Sequence, residues 1–165
     1  MMNALMGRLA RWPVIAFCLL WAVALGFSFS FVMPQTGGTL MDMLPTGAAT
    51  RDYLAGLTAE GRSLHLLATL VLDTLYPLTL AGFLAGIAGR MMPDWQGWIG
   101  FPALVALGLD LAENLTQALA LAGIADGLDL KDWLTPMKFQ AYMIAAAVAL
   151  AAVLFAGVRR FLLKP

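Results

Sequence analysis

The sequence predicts an all-α integral membrane protein: a four-helix bundle with both termini in the cytoplasm (N-in, C-in) and a long outer loop after the first span. Three observations predict it. Hydrophobic residues make up 61% of the 165 residues and charged residues only 12%, about half the charge of an ordinary soluble chain. The mean hydropathy is +0.82. The apolar residues also gather into four runs, each near the ~20 residues that a bilayer-crossing helix needs. With zero net charge and no basic tract, the chain offers no footing for nucleic acid. The lone Cys18 has no partner for an internal disulfide.

A short basic start (Arg8, Arg11) precedes the first apolar run, residues 12–33. Ala22-Val23-Ala24 resembles a signal-peptidase site, but the run continues through Phe31, longer than a signal peptide requires, so an uncleaved first span is expected. Residues 34–63 form the longest polar interval, in which Thr50 is expected to cap a short helix over about 51–60. Such a length suits a lid or binding loop; an interfacial helix lying on the membrane fits equally. The second span is expected over 64–89, closed by Arg90. A tight turn with Pro93 and Asp94 leads to the third, over 98–121, with Pro102 in its first turn, where proline is tolerated. Residues 122–138 are polar again, with Trp133 as an interface anchor. The fourth span is expected over 139–158, followed by Arg159, Arg160 and Lys164. These basic residues share a side with Arg8, Arg11 and Arg90, which by the positive-inside rule is the cytoplasm. A bacterial inner membrane follows as the expected location.

The third span carries Asp110, Glu113, Asn114 and Gln117 at i, i+3, i+4 and i+7, one face of a helix. The second span carries His65, Thr69, Asp73 and Tyr76 in a comparable stripe. Asp73 lies roughly 13 Å below the outer end of its span at 1.5 Å per residue, and Glu113 lies at a similar depth. An acid at a helix centre costs about 2.5–3.5 kcal/mol on the insertion scale, so the stripes are expected to face each other or a wet cavity. No Lys or Arg occurs in residues 34–50, 63–89, 91–130 or 139–158. The spans therefore supply no base, and the counter-charge is expected from a proton, an external cation or an outer-loop Arg folded inward. Pro77 frees the carbonyl four residues back, that of Asp73. Polar glue between helices explains a single Asn well; three acids without a base point to a site.

On this reading Asp73 and Glu113 form a shared-proton pair, the candidate catalytic residues, while Asp110, Asn114, Tyr76, Gln117 and His65 contact a ligand. His65 is expected to be interfacial and solvated. The fourth span, with no polar residue on its buried face, reads as structural. Gly82-x-x-x-Gly86 and Ala145, Ala149, Ala152 and Ala156 read as close helix contacts or a homodimer face. No metal pattern, nucleophile triad or phosphate loop is present, and no cofactor is expected.

Glu60-Gly61-Arg62, Asp73-x-x-Tyr76-Pro77 and Asp110-x-x-Glu113-Asn114, in that order, resemble a family of small, uncharacterised bacterial four-span membrane proteins, which implies a membrane bundle and no particular activity. More remotely, the layout is similar to EXPERA proteins (emopamil-binding and sigma-2-receptor-like). That resemblance implies an amphiphile pocket with buried acids; the acid followed by Pro fits their second span, while the third span departs from their pattern. Three functional classes follow. The first is a lipid or small-amphiphile binding protein with an outward-opening acidic pocket, with acid–base chemistry as an extension of it. The others are a proton- or cation-coupled transporter and an accessory subunit whose acids receive a basic group from a membrane-protein partner. A pocket closed toward the cytoplasm favours the first, a continuous polar path the second, and an outward-facing polar surface the third.

Overall fold

The computed structural model describes residues 2–162 and is a helical bundle. The helices are α1 (Met2–Leu9), α2 (Trp12–Val32), α3 (Gly47–Gly56), α4 (Ala59–Met91), α5 (Gln96–Ile99), α6 (Phe101–Leu121) and α7 (Lys131–Leu162). Four helical stretches, Trp12–Thr36, Ala59–Met91, Pro93–Leu121 and Leu128–Leu162, are long and apolar enough to cross a membrane. Their outer faces carry large apolar side chains, such as Phe17, Leu20 and Phe27 on α2 and Met143, Leu150 and Leu154 on α7, all well exposed. A soluble monomer rarely leaves so much contiguous apolar surface in water. Trp12, Trp95 and Trp98 ring one end and Trp133 the other, all more than half exposed, as expected of residues that sit at the headgroup level.

The long helix α4 is the axis, with α2 packed on one side and α6 and α7 on the other. Gly82 and Gly86 explain the close approach of α2 and of the end of α1. A Cβ at Gly82 would lie 2.9 Å from Cys18 Sγ, and one at Gly86 would lie 2.6 Å from the Leu9 carbonyl oxygen. This small-residue pair is therefore used inside the molecule. The basic start of the chain forms α1, whose Met6 is fully buried against α4 and Gly100. It closes one end of the bundle, a role the short segment does not announce.

Three buried faces meet in the interior, and each changes character along its length. On α4 the face runs His65, Thr69, Asp73 and Pro77, then Ala81, Ala85 and Ala88. On α6 it runs Ala103 and Ala106, then Asp110, Glu113 and Gln117. On α7 it runs Lys131, Thr135 and Lys138, then Ala145, Ala149 and Ala152. Because α6 runs opposite to α4 and α7, the alanine ends coincide and form a tight apolar core with Met6, Leu84 and the flanking Leu107 and Tyr142. The polar ends coincide under the two longer connections.

Those connections form a folded cover. Thr46, rather than Thr50, caps α3, accepting from the Ala49 N–H at 3.1 Å; Thr50 is buried, its hydroxyl donating to the Thr46 carbonyl at 2.8 Å. The helix accordingly covers Gly47–Gly56, earlier than its composition suggests. Thr58 caps α4 by accepting from Gly61 N–H at 3.1 Å, so this helix starts about a turn before the apolar run does. Met41, Ala120, Leu121 and Leu128 make a second, smaller core beneath the cover. A Cβ at Gly47 would clash with the Leu128 backbone, and the Gly47 N–H donates to Asp132 Oδ1 at 2.8 Å. Arg51 clamps the two connections together, reaching Asp126 at 2.6 and 3.0 Å and Asp129 at 2.7 Å.

Candidate functional site

The site lies where the polar ends of α4, α6 and α7 meet the 3-10 turn Met41–Met43. Glu113 is fully buried on α6, and its carboxylate is held by α7: Lys131 Nζ pairs with Oε1, Lys138 Nζ lies 2.6 Å from Oε2, and the Thr135 hydroxyl donates to Oε1 at 2.6 Å. Gln117 Nε2 adds a contact to the same Oε1 at 3.3 Å. Lys138 also pairs with Asp42 Oδ1 at 2.6 Å and approaches Asp110 Oδ1 at 3.7 Å. Gln117 reaches Asp42 too, at 3.4 Å. One turn of the cover is thus held to α7 by an ion pair and to α6 by a hydrogen bond.

This corrects the expectation that the interior lacks a base. Helix α7 begins at Lys131 and not near residue 139, so two lysines assigned to an outer loop are helical and buried. The fourth span is therefore not merely structural. Apolar periodicity failed to find its start because the first two turns are polar on their inner face. The signal was nevertheless present. Lys131, Thr135, Lys138 and Tyr142 recur at i, i+4, i+7 and i+11, and the same stripe continues into Ala145, Ala149 and Ala152. Asp42 had no comparable signal, since only the fold of the loop carries it inward.

Pro77 acts as its position implies. The Asp73 carbonyl that its ring frees accepts a hydrogen bond from Asn114 Nδ2, so an intramembrane backbone break is satisfied by the neighbouring helix. Asn114 thus works as a brace between α4 and α6. His65, expected to be solvated, is fully buried. Its Nε2 accepts from Met41 N–H at 3.2 Å, and its ring meets Tyr53 edge-on at 5.9 Å. It fastens the cover beside the charged cluster. The Tyr53 hydroxyl donates to the carbonyls of Thr36 and Thr39 (the latter at 2.7 Å), closing the turn in which Gly37 and Gly38 take positive φ.

Beside the ion pairs is a cavity of about 180 Å³. Asp42, Asp73, Asp110 and Lys138 line its charged side; Tyr76, Pro77, Leu80, Phe139 and Tyr142 line the rest. Of the sequence-predicted site residues, Asp73, Asp110 and Tyr76 reach this cavity, whereas Glu113, Asn114, Gln117 and His65 are spent on holding helices and cover together. Asp73 is 6% exposed and its Oδ2 has no hydrogen-bond partner among the described residues; the buried Tyr142 hydroxyl is likewise unpartnered. Four carboxyls (Asp42, Asp73, Asp110, Glu113) thus share two ammonium groups, and the two that go without a close one face the cavity. Among the described residues no group of His, Cys, Asp or Glu side chains has metal-holding geometry.

Two further motifs take structural roles. Arg62, of the Glu60-Gly61-Arg62 segment, donates to the carbonyls of Leu121 (2.6 Å) and Ala120 (2.7 Å). It caps the end of α6, where cations are favoured. Gly123 (φ 70°) and Ile124 complete that end with N–H bonds to Ala120 and Leu119 carbonyls, a Schellman arrangement.

Fold and site together define a class: a multi-pass helical membrane bundle with a buried ionic cluster beneath a folded cover. Comparison with family models, with curated proteins and with solved structures finds no match to this chain, and its function is read from its own geometry.

Proposed function

We propose that this chain is a bacterial inner-membrane protein, with both termini cytoplasmic, that binds a small cationic amphiphile in its acidic cavity. The observation that carries this reading is the charge deficit around the cavity: Asp73 and Asp110 line it, both more than nine-tenths buried, and the nearest ammonium stands 3.7 Å from Asp110. A desolvated carboxyl without a counter-charge is costly, and a protonated amine relieves that cost where a neutral lipid does not. The apolar walls suit the first methylenes beyond such a head group.

Glu113 is part of the frame in this reading, because two lysines and a threonine occupy its oxygens. Any proton exchanged with a ligand falls to Asp73 and Asp110, with Tyr142 beside them. The alanine core weighs against a transporter, since the buried polar side chains all lie on the cover side of Pro77 and its neighbours, and apolar residues fill the other end. The cluster is also turned inward, which weighs against an accessory role for these acids. Orientation rests on Arg8, Arg11, Arg90, Arg159 and Arg160 gathered at one end. At the other end, Arg51, Arg62, Lys131 and Lys138 are neutralised or committed to carbonyls.

Thermal unfolding of the purified protein in a non-ionic detergent, with added decylamine or decanol, tests the reading. Ligand that binds only the folded state raises the melting temperature. Decylamine is expected to raise it and decanol to leave it unchanged, and the effect should vanish in Asp73→Asn/Asp110→Asn. Equal effects of amine and alcohol, or an amine effect untouched by the two substitutions, would overturn it.

A further inference from the structure

A second concavity adjoins the acidic cavity. It is a groove of about 450 Å³ between α2 and α4, floored by Gly26 and walled by Leu19, Val23, Phe27 and Phe83. Tyr76 and Leu80 line both spaces. Apart from Ser30 and Tyr76 the groove is lined by apolar residues and glycine, and it opens outward, with Leu19, Val23 and Phe27 each well exposed. Gly26 makes it deep: its missing Cβ would lie 3.7 Å from Tyr76 Cε2. The Tyr76 ring itself is steadied edge-on by Phe29, 5.7 Å away.

We infer that this groove holds the hydrocarbon chain of the ligand whose amine occupies the acidic cavity, with Tyr76 at the junction between head and tail. This rests on the cationic-amphiphile reading and specifies it as a single-chain amine. One side of the Tyr76–Leu80 wall offers Asp73, which has no ammonium partner among the described residues, and Asp110, whose nearest is 3.7 Å away; the other is a lipid-facing slot, so charge complementarity fixes which end of an amphiphile lies where. The groove also gives the ligand a lateral route. An alkyl chain already in the bilayer settles between α2 and α4 without crossing the ion-paired cover.

Photolabelling of the whole protein in nanodiscs, using dodecylamine with a diazirine at its terminal carbon, tests the assignment. The expected result is labelling of Leu19, Val23, Phe27 or Phe83 that is displaced by excess dodecylamine and lost in Asp73→Asn/Asp110→Asn. In addition, Gly26→Leu should weaken dodecylamine binding about tenfold while leaving butylamine, too short to enter the groove, unchanged. Displaceable, carboxylate-dependent labelling confined to α6 or α7 would overturn the groove and leave the amine pocket standing. Labelling that excess amine does not displace, or that ignores both substitutions, would overturn both.

Discussion

Glu113 and Asp73 are both buried acids, yet their surroundings call for opposite responses to neutralisation. Glu113→Gln leaves Lys131 with no carboxylate and Lys138 with a weaker set; breaking a buried pair typically costs about 3–5 kcal/mol. Lys131→Met should cost a similar amount. The pair Glu113→Gln/Lys131→Met should fall short of the sum of the two by about 0.5–3 kcal/mol, because each removes what the other needs. Asp73→Asn removes a desolvated carboxyl with an unpartnered oxygen, so it should leave stability unchanged or raise it. Chemical denaturation in mixed micelles, followed by circular dichroism, checks all four. Sequence reasoning treated the two acids alike for a physical reason. Depth and helical face are legible from spacing, but the lysines that distinguish the acids arrive from turns whose polarity reads as loop. By contrast the freeing of the Asp73 carbonyl by Pro77 follows from proline chemistry alone. Only the identity of the acceptor's partner, Asn114, required the fold.

The cover is the element on which access depends, and Arg51 with Asp126 and Asp129 is its exposed fastening. The guanidinium is held above its ordinary value by Asp129 and Asp126, while its hydrogen bonds hold Asp126 below the usual carboxylate range. A carboxyl whose folded-state value is lowered stabilises the fold above its unfolded value, and loses that contribution as the pH falls through the lowered one. Hydrogen exchange over residues 47–56, corrected for intrinsic rates, should therefore stay slow from neutral pH down to about pH 4 and accelerate below it. Arg51→Met should be fast throughout. The effect should be modest and salt-sensitive, since the pair is exposed. Arg62→Ala removes the cap from α6 and should cost about 1–2 kcal/mol, measurable by the same denaturation. Little of this cover was legible beforehand. A short helix in residues 34–63 was expected, but its cap and register were misplaced because Thr46 and Thr50 are equally good capping residues in isolation. Burial of Thr50 against the second connection is a tertiary decision.

At the scale of the whole molecule, three helix faces pass from polar to alanine, and antiparallel packing brings like to like. This is the part most legible from sequence. Four apolar runs, two polar stripes and an alanine stripe already specify a bundle with a wet end and a dry end. The expected topology places the cover outside and the alanine end inside, so reporter fusions after Gly47 and at the C-terminus should report opposite sides of the membrane; the same side for both would defeat the topology. What remained hidden was where the chemistry concentrates, because that depends on which carboxyls the lysines leave uncovered. The central claim is that Asp73 and Asp110 are those carboxyls, and that an amine fills the cavity between them. Solid-state NMR of the protein in lipid, with 13Cγ-labelled aspartate and 15N-labelled dodecylamine, measures this directly. The account predicts 15N dephasing of two buried aspartate signals, one lost in Asp73→Asn and the other in Asp110→Asn, at separations of about 3–4 Å expected for a charge-assisted contact. Dephasing of no aspartate signal, or two dephased signals that both survive in each variant, would contradict it.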